Sequence, residues 1–224
     1  IKLNNYTRSP MSTFFKLNQL FLLSSSPERF IKRNDKTIIS QPIKGTAKRG
    51  LNSTEDEKIK ERLLSSPKEL SENHMIVDLV RNDLSRLARK GSVKVKNLNK
   101  LYTFKRVHQL ISTIEAKIES KTKFSKIING MFPMGSMTGA PKIESMNIID
   151  EYESTKRGLY SGSVGYIKPN KDFDFNVVIR SIIYDEILKE INVNIGSAIT
   201  FKSDAESEFE ECLLKAEPMI KSLK

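Results

Sequence analysis

Ser163-Val164-Gly165-Tyr166-Ile167, Phe175-Asn176-Val177-Val178-Ile179-Arg180-Ser181-Ile182-Ile183-Tyr184 and the run Ile191 to Phe201 follow one another with turn residues between them, Pro169-Asn170 and Asp185-Glu186. Each run is alternating or continuously apolar and rich in β-branched residues, so the stretch predicts three strands in an antiparallel meander. Downstream, Asp204 to Ser222 has helical spacing with Ser203 or Asp204 as its cap. Upstream, Ile143, Met146 and Ile149 mark a helix over Lys142–Tyr152, preceded by a glycine- and proline-containing loop from Phe132. Phe124–Asn129 is a short helix stopped at Gly130, and Leu110–Ile118 reads equally as strand or helix. Short extended pieces are expected at Val93–Val95 and Tyr102–Val107.

Further towards the start, Met75, Ile76, Leu79, Val80, Leu84 and Leu87 recur at helical spacing in a segment opened by Pro67 and closed by Gly91. Asn52–Ser65 is a second helix, capped at Ser53 or Thr54. Thr37–Ser40 is β-branched, and Pro42 and Gly45 exclude a helix in the segment that follows it. Strands with helices set among them and a terminal meander define an α+β class built on antiparallel sheet.

The 224 residues make one large domain or two small ones. With 38% hydrophobic and 29% charged residues the composition is that of a soluble globular chain, and no run approaches the length of a membrane span. A single cysteine, Cys212, excludes a disulfide framework and makes a reducing, cytoplasmic setting the default expectation. The net charge of +11 suits a nucleic-acid surface or a funnel for a small polyanion. Lysines spread along the chain without interleaved aromatics argue against the nucleic-acid surface, and a non-catalytic basic binding module is the rival from another class.

Two acidic pairs carry the chemistry. Glu69 and Glu72 on one predicted helix, and Glu208 and Glu211 on another, are each spaced to share a helix face. Facing pairs of this kind suit Mg2+, which takes oxygen ligands in octahedral array. The same spacing also serves acidic residues that complement a helix dipole or face solvent. The loop Gly135-Ser136-Met137-Thr138-Gly139-Ala140-Pro141-Lys142 combines small residues with a helix start, which favours an anion, or else is a tight loop entering a helix. It lacks the order of a Walker loop.

Ser26-Pro27-Glu28-Arg29-Phe30, Pro42-Ile43-Lys44-Gly45-Thr46, Glu72 through Leu84, Thr138 through Lys142, Tyr160 through Tyr166, Val178-Ile179-Arg180-Ser181 and Glu208 through Lys215 together resemble the chorismate-utilising enzymes, in the same order. That family includes anthranilate, aminodeoxychorismate, isochorismate and salicylate synthases, which bind chorismate with Mg2+. The resemblance implies packed antiparallel or mixed sheets with outer helices. It also implies that residues 1–224 are one catalytic domain, the C-terminal portion of a longer family chain whose N-terminal half is absent or truncated here.

Within the family a lysine in the Pro-Ile-x-Gly-Thr block resembles the aminodeoxychorismate synthase large subunit, where relatives making anthranilate or isochorismate usually carry alanine. The resemblance therefore implies that Lys44 adds at ring C2 as the C4 hydroxyl leaves, and that ammonia from a glutamine amidotransferase partner then enters at C4. Anthranilate synthase component I is the alternative. By the same resemblance Glu28 is the general acid, Glu72 and Glu211 are the principal Mg2+ ligands, and Glu69 and Glu208 support them. Tyr160 and Arg180 hold the enolpyruvyl carboxylate, while Thr138, Gly139, Ala140, Gly196 and Lys215 complete substrate binding.

The chain departs from the family pattern at Gln109, where relatives often have histidine, with His108 one position earlier. Ala198 follows Gly196-Ser197 where a second glycine is common. Cys212 falls at an expected core position of the last helix, and no class I amidotransferase arrangement surrounds it.

Overall fold

The computed structural model describes residues 1–201 and 203–224. In chain order its elements are α1 (Lys2–Thr7), β1 (Met11–Leu17), β2 (Leu20–Ser26), β3 (Arg29–Asn34), β4 (Thr37–Gln41), β5 (Ile43–Lys48), α2 (Ser53–Ser65) and α3 (Pro67–Ser85). There follow β6 (Lys94–Thr103), β7 (Val107–Lys117), α4 (Phe124–Met131), a 3-10 turn (Gly135–Met137), α5 (Lys142–Tyr152), β8 (Gly165–Ile167), β9 (Phe173–Asn176), β10 (Ser181–Asp185), β11 (Glu190–Asn192) and α6 (Ala205–Leu223). The chain forms two units, one from Ile1–Pro27, Arg157–Val164 and Asn176–Lys224, the other from Glu28–Lys156 and Gly165–Phe175. The α+β class with antiparallel sheets is as expected.

In the unit that holds both termini, β1, β2, β10 and β11 form one sheet in that order, all described pairs antiparallel. Leu3 of α1, Ile182 of β10 and Met219 of α6 are buried together, with Leu23, Val193 and Ile195 packed on them. In the other unit a larger sheet runs β5-β7-β4-β3-β9-β8, and β6 also pairs with β7. Strand β7 settles the ambiguity of Leu110–Ile118: it is paired with β4, β5 and β6, and nearly every residue of it is buried. Its pairings with β4 and β5 join residues distant in sequence, which is why local periodicity leaves the choice open.

Helix α3 lies against β5 and β7 with Glu72, Asn73, Ile76, Val77, Val80, Asp83 and Leu84 buried. Ser66 caps it, accepting from Glu69 N–H, and Pro67 occupies its first turn, where a missing donor costs nothing. The helix stops at Ser85, short of Gly91, whose φ of 73° serves the turn before β6. Asn52, not Ser53 or Thr54, caps α2 through its side-chain oxygen to Glu55 N–H. Asp204 caps α6 as expected.

The meander is only half realised. The hairpin β8–β9 forms, pairing Gly165 with Phe175 and Ile167 with Phe173, and β10–β11 forms, pairing Ile183 with Asn192. Phe175–Tyr184, however, is not one strand. Ile179 N–H bonds back to Val177 C=O at 2.9 Å, Arg180 takes φ of 49°, and β10 then pairs with β2 in the other sheet. Val177 and Val178 are buried in this break, so their apolarity reports burial and not strand continuity. Of Ile191–Phe201 only Ile191 and Asn192 lie in a strand. The helix α1 has no counterpart in the sequence reading. Among the described residues no helix is long and apolar enough to cross a membrane.

Candidate active site

The residues singled out by sequence fall into two groups, one in each unit. Lys44, Glu28, Glu69, Glu72 and Thr138–Ala140 belong to the unit built on the larger sheet. Tyr160, Arg180, Gly196, Glu208, Glu211 and Lys215 belong to the unit containing the termini.

In the first group Lys44 sits on β5, and the residue after it, Gly45, has φ of 91°, a conformation that glycine adopts without strain. A Cβ at Gly45 would lie 3.2 Å from Glu69 Oε2 and 3.1 Å from Leu110 Cδ1. The glycine thus lets the segment carrying Lys44 pass close to the acidic pair on α3. Glu72 is buried on that helix, and Glu28 is buried at the entry to β3. Asn73 Nδ2 donates to the Lys44 carbonyl at 3.4 Å, while Asn73 Oδ1 accepts from Ser112 Oγ at 2.6 Å.

The loop of Thr138–Ala140 is held from both sides. Thr138 Oγ1 donates to Met134 O at 3.0 Å, and Gly135 packs on Leu79 of α3. Lys142 Nζ donates to Asp83 Oδ2 at 2.5 Å and to Pro133 O at 2.8 Å. Burial pushes the Asp83 carboxyl up against the opposing pull of Lys142. No sequence signal singled out Asp83; its pairing with Lys142 is a tertiary fact.

In the second group Lys215 Nζ bonds both Glu211 Oε1, at 2.7 Å, and the Gly196 carbonyl, at 3.1 Å. A Cβ on Gly196 would come within 2.7 Å of the Tyr160 hydroxyl. The next residue, Ser197, donates its hydroxyl to Glu208, which is buried. Tyr160, Gly196, Glu208, Glu211 and Lys215 therefore gather around the segment after β11 and the first turns of α6. Arg180 lies at the break between β9 and β10, where its carbonyl accepts from Ser25 N–H at 3.1 Å. The expected buried strand around it is replaced by this turn. Cys212 is half-buried, not in the core, and burial raises its thiol.

His108 is fully buried and structural in its contacts: Nε2 lies 2.8 Å from Asp56 Oδ1 and Nδ1 lies 3.0 Å from Thr103 Oγ1. Gln109, on the opposite face of β7, donates to Thr46 Oγ1 at 3.4 Å, in the block that contains Lys44.

The order of motifs and the fold point to one family. The chain belongs to the family described as chorismate binding enzyme, whose model matches residues 1–221. It is 44% identical over 210 residues to the chloroplastic aminodeoxychorismate synthase of Arabidopsis thaliana, covering 92% of this chain and 23% of that one. It is 40% identical over 223 residues to aminodeoxychorismate synthase component 1 of Escherichia coli strain K12, covering 100% of this chain and 49% of that one. The crystal structure of anthranilate synthase component I from Streptococcus pneumoniae matches with a TM-score of 0.84 at 30% identity, covering 97% of this chain and 47% of that chain. The chain thus spans half or less of the length of these relatives.

Proposed function

We propose that this chain is the chorismate-binding catalytic portion of an aminodeoxychorismate synthase component I. It would convert chorismate and ammonia to 4-amino-4-deoxychorismate for 4-aminobenzoate and folate synthesis. The observation that carries the reading is Lys44 in Pro42-Ile43-Lys44-Gly45-Thr46, on a strand that passes beside Glu69 of α3. The names of relatives at 40% and 44% identity support the same branch.

In this reading the Lys44 amine forms a bond to ring C2 and the ring electrons shift as the C4–O bond breaks. Glu28 gives its proton to the departing hydroxyl, which leaves as water. Ammonia then bonds at C4, the C2–N bond to Lys44 breaks, and a proton from the incoming nitrogen restores Glu28. Tyr160 and Arg180 hold the enolpyruvyl carboxylate, with the guanidinium fork suited to it. Backbone N–H groups around Thr138, Gly139 and Ala140, with Gly196 and Lys215, complete the binding of the dianion.

The carboxylates fit a hard divalent cation in donor type: all are oxygen ligands, and Glu72 and Glu208 are buried, where an anion is stabilised by a cation. Glu72 and Glu211 would be the main ligands of Mg2+, supported by Glu69 and Glu208. When bound, the ion would supply positive charge for the ring carboxylate. A glutamine amidotransferase component is the proposed ammonia source, and the setting is proposed to be cytoplasmic.

Incubation of the purified protein with chorismate, Mg2+ and ammonium tests the reading. 4-Amino-4-deoxychorismate is the expected product, and Lys44→Ala is expected to lose about 10²-fold or more in its formation. Fluorescent anthranilate, released without any added lyase, would place the chain in the anthranilate branch instead.

A further inference from the structure

Asn73 is the residue after Glu72, and its side chain is 1% exposed beneath β5 and β7. Its amide orientation follows from a chain of donors. Asn99 adopts φ of 51° in a bulge of β6, where Asn97 pairs with Thr113 and Lys100 with Ile111, and it aims its backbone N–H at Ser112 Oγ, 3.0 Å away. Ser112 Oγ, accepting there, gives its own hydrogen to Asn73 Oδ1 at 2.6 Å. The Lys44 carbonyl can only accept, so Nδ2 is the amide atom that faces it, and Oδ1 is the atom that takes the Ser112 hydrogen. Ser112 N–H also bonds the Pro42 carbonyl at 3.2 Å, so the same residue grips the other end of the Pro42–Lys44 segment. Ser112 is fully buried.

We infer that Asn73 is a positioning residue for the Lys44 nucleophile: oriented by Ser112 and the Asn99 bulge, its amide ties the backbone of Lys44 to the helix that bears Glu69 and Glu72. The inference rests on the proposed amination. It adds that the acidic helix and the nucleophile are set in register by a neutral side chain that touches no substrate. Only an asparagine-type donor fits, because an aspartate would direct a carboxylate oxygen at a carbonyl oxygen.

The test is steady-state amination by wild type, Ser112→Ala and Asn73→Asp, with chorismate and Mg2+ titrated separately and each variant's melting followed. Wild-type amination is the control: its absence fails the functional reading and leaves the positioning question to the second measurement below. Expected is a graded loss of kcat, several-fold for Ser112→Ala, which frees the amide to flip, and about 10²-fold for Asn73→Asp, the scale of a small misplacement of a reacting group. KM for chorismate and the Mg2+ concentration for half-saturation should stay within about two-fold of wild type. A kcat unchanged in Asn73→Asp overturns the assignment, and so does a Mg2+ requirement that rises in step with the loss, since Asn73 would then act through Glu72. The second measurement is amide hydrogen exchange of the Ile43–Thr46 segment in Ser112→Ala, a milder change. Faster exchange confined to that segment and α3 supports the tie, and unaltered exchange overturns it whether or not the wild type aminates.

Discussion

Asp56 is buried beneath Arg49 at the start of the segment after β5, and it gathers four polar partners. Arg49 Nε donates at 2.9 Å, Gly50 N–H at 2.8 Å and His108 lies at 2.8 Å, with Lys60 at 3.9 Å. The hydrogen bond from Arg49 above all, helped by Gly50 and His108 and opposed by burial, holds its carboxyl well below the usual carboxylate range. A depressed folded-state pKa contributes stability that is present above the unfolded value of about 3.9 and is lost as pH falls from there. Asp56→Asn is therefore expected to be less stable than wild type near neutral pH, with the difference shrinking below about pH 4. Urea unfolding of the two proteins across that range checks it; a gap that holds constant into acid would refute the account. His108 illustrates what a single residue hides. Its position beside Gln109 is legible, but a histidine's role depends on what faces it, and Asp56 lies far from it in sequence.

At the scale of elements, α3 was readable because its apolar spacing and its proline start agree, and the Ser66 cap that the structure adds is consistent with both. What α3 does was only partly readable. Its glutamate pair stands out by type and spacing, whereas Asn73 and Asp83 look like ordinary polar positions until β7 and the 132–142 loop pack on them. Lys142 Nζ is the near-neutralising partner of Asp83, which is only 2% exposed. Removing the cation while leaving the buried carboxylate is expected to cost about 3 kcal/mol or more in Lys142→Met. The Asp83 carboxyl is already pushed up by burial, so the folded state is favoured when it is protonated, and that advantage is lost as pH rises through the folded value. The penalty of Lys142→Met should thus be largest at neutral pH and shrink in acid, and Asp83→Asn in the same chain should recover most of it. Denaturant midpoints at several pH values measure this; an equal loss in the double variant would mean that Lys142 acts through packing or Pro133 alone.

At the scale of the whole chain, the net charge of +11 and the proposed dianionic substrate make a kinetic prediction. If the positive balance draws chorismate in, KM should rise several-fold between about 0.05 and 0.5 M salt while kcat changes little, because screening acts on encounter. A KM indifferent to salt would make the lysines ordinary solvated surface. The sequence by itself determined the α+β class, the helices α2 to α6 with small errors at caps and ends, and the family, and it offered the residues proposed as nucleophile, acid and ligands. The class and the helices rest on residue type and short-range spacing, which local physics makes visible, whereas the family and the residues offered for chemistry rest on the resemblance of motifs. The tertiary structure alone decided that Phe175–Tyr184 breaks at Arg180 and serves two sheets, that Leu110–Ile118 is a central strand, and that Asn73, Ser112, Asp83 and Lys142 brace the candidate groups. Strand partnership, burial and the sense of a hydrogen-bond chain depend on residues distant in sequence, and no local pattern encodes which of them meet.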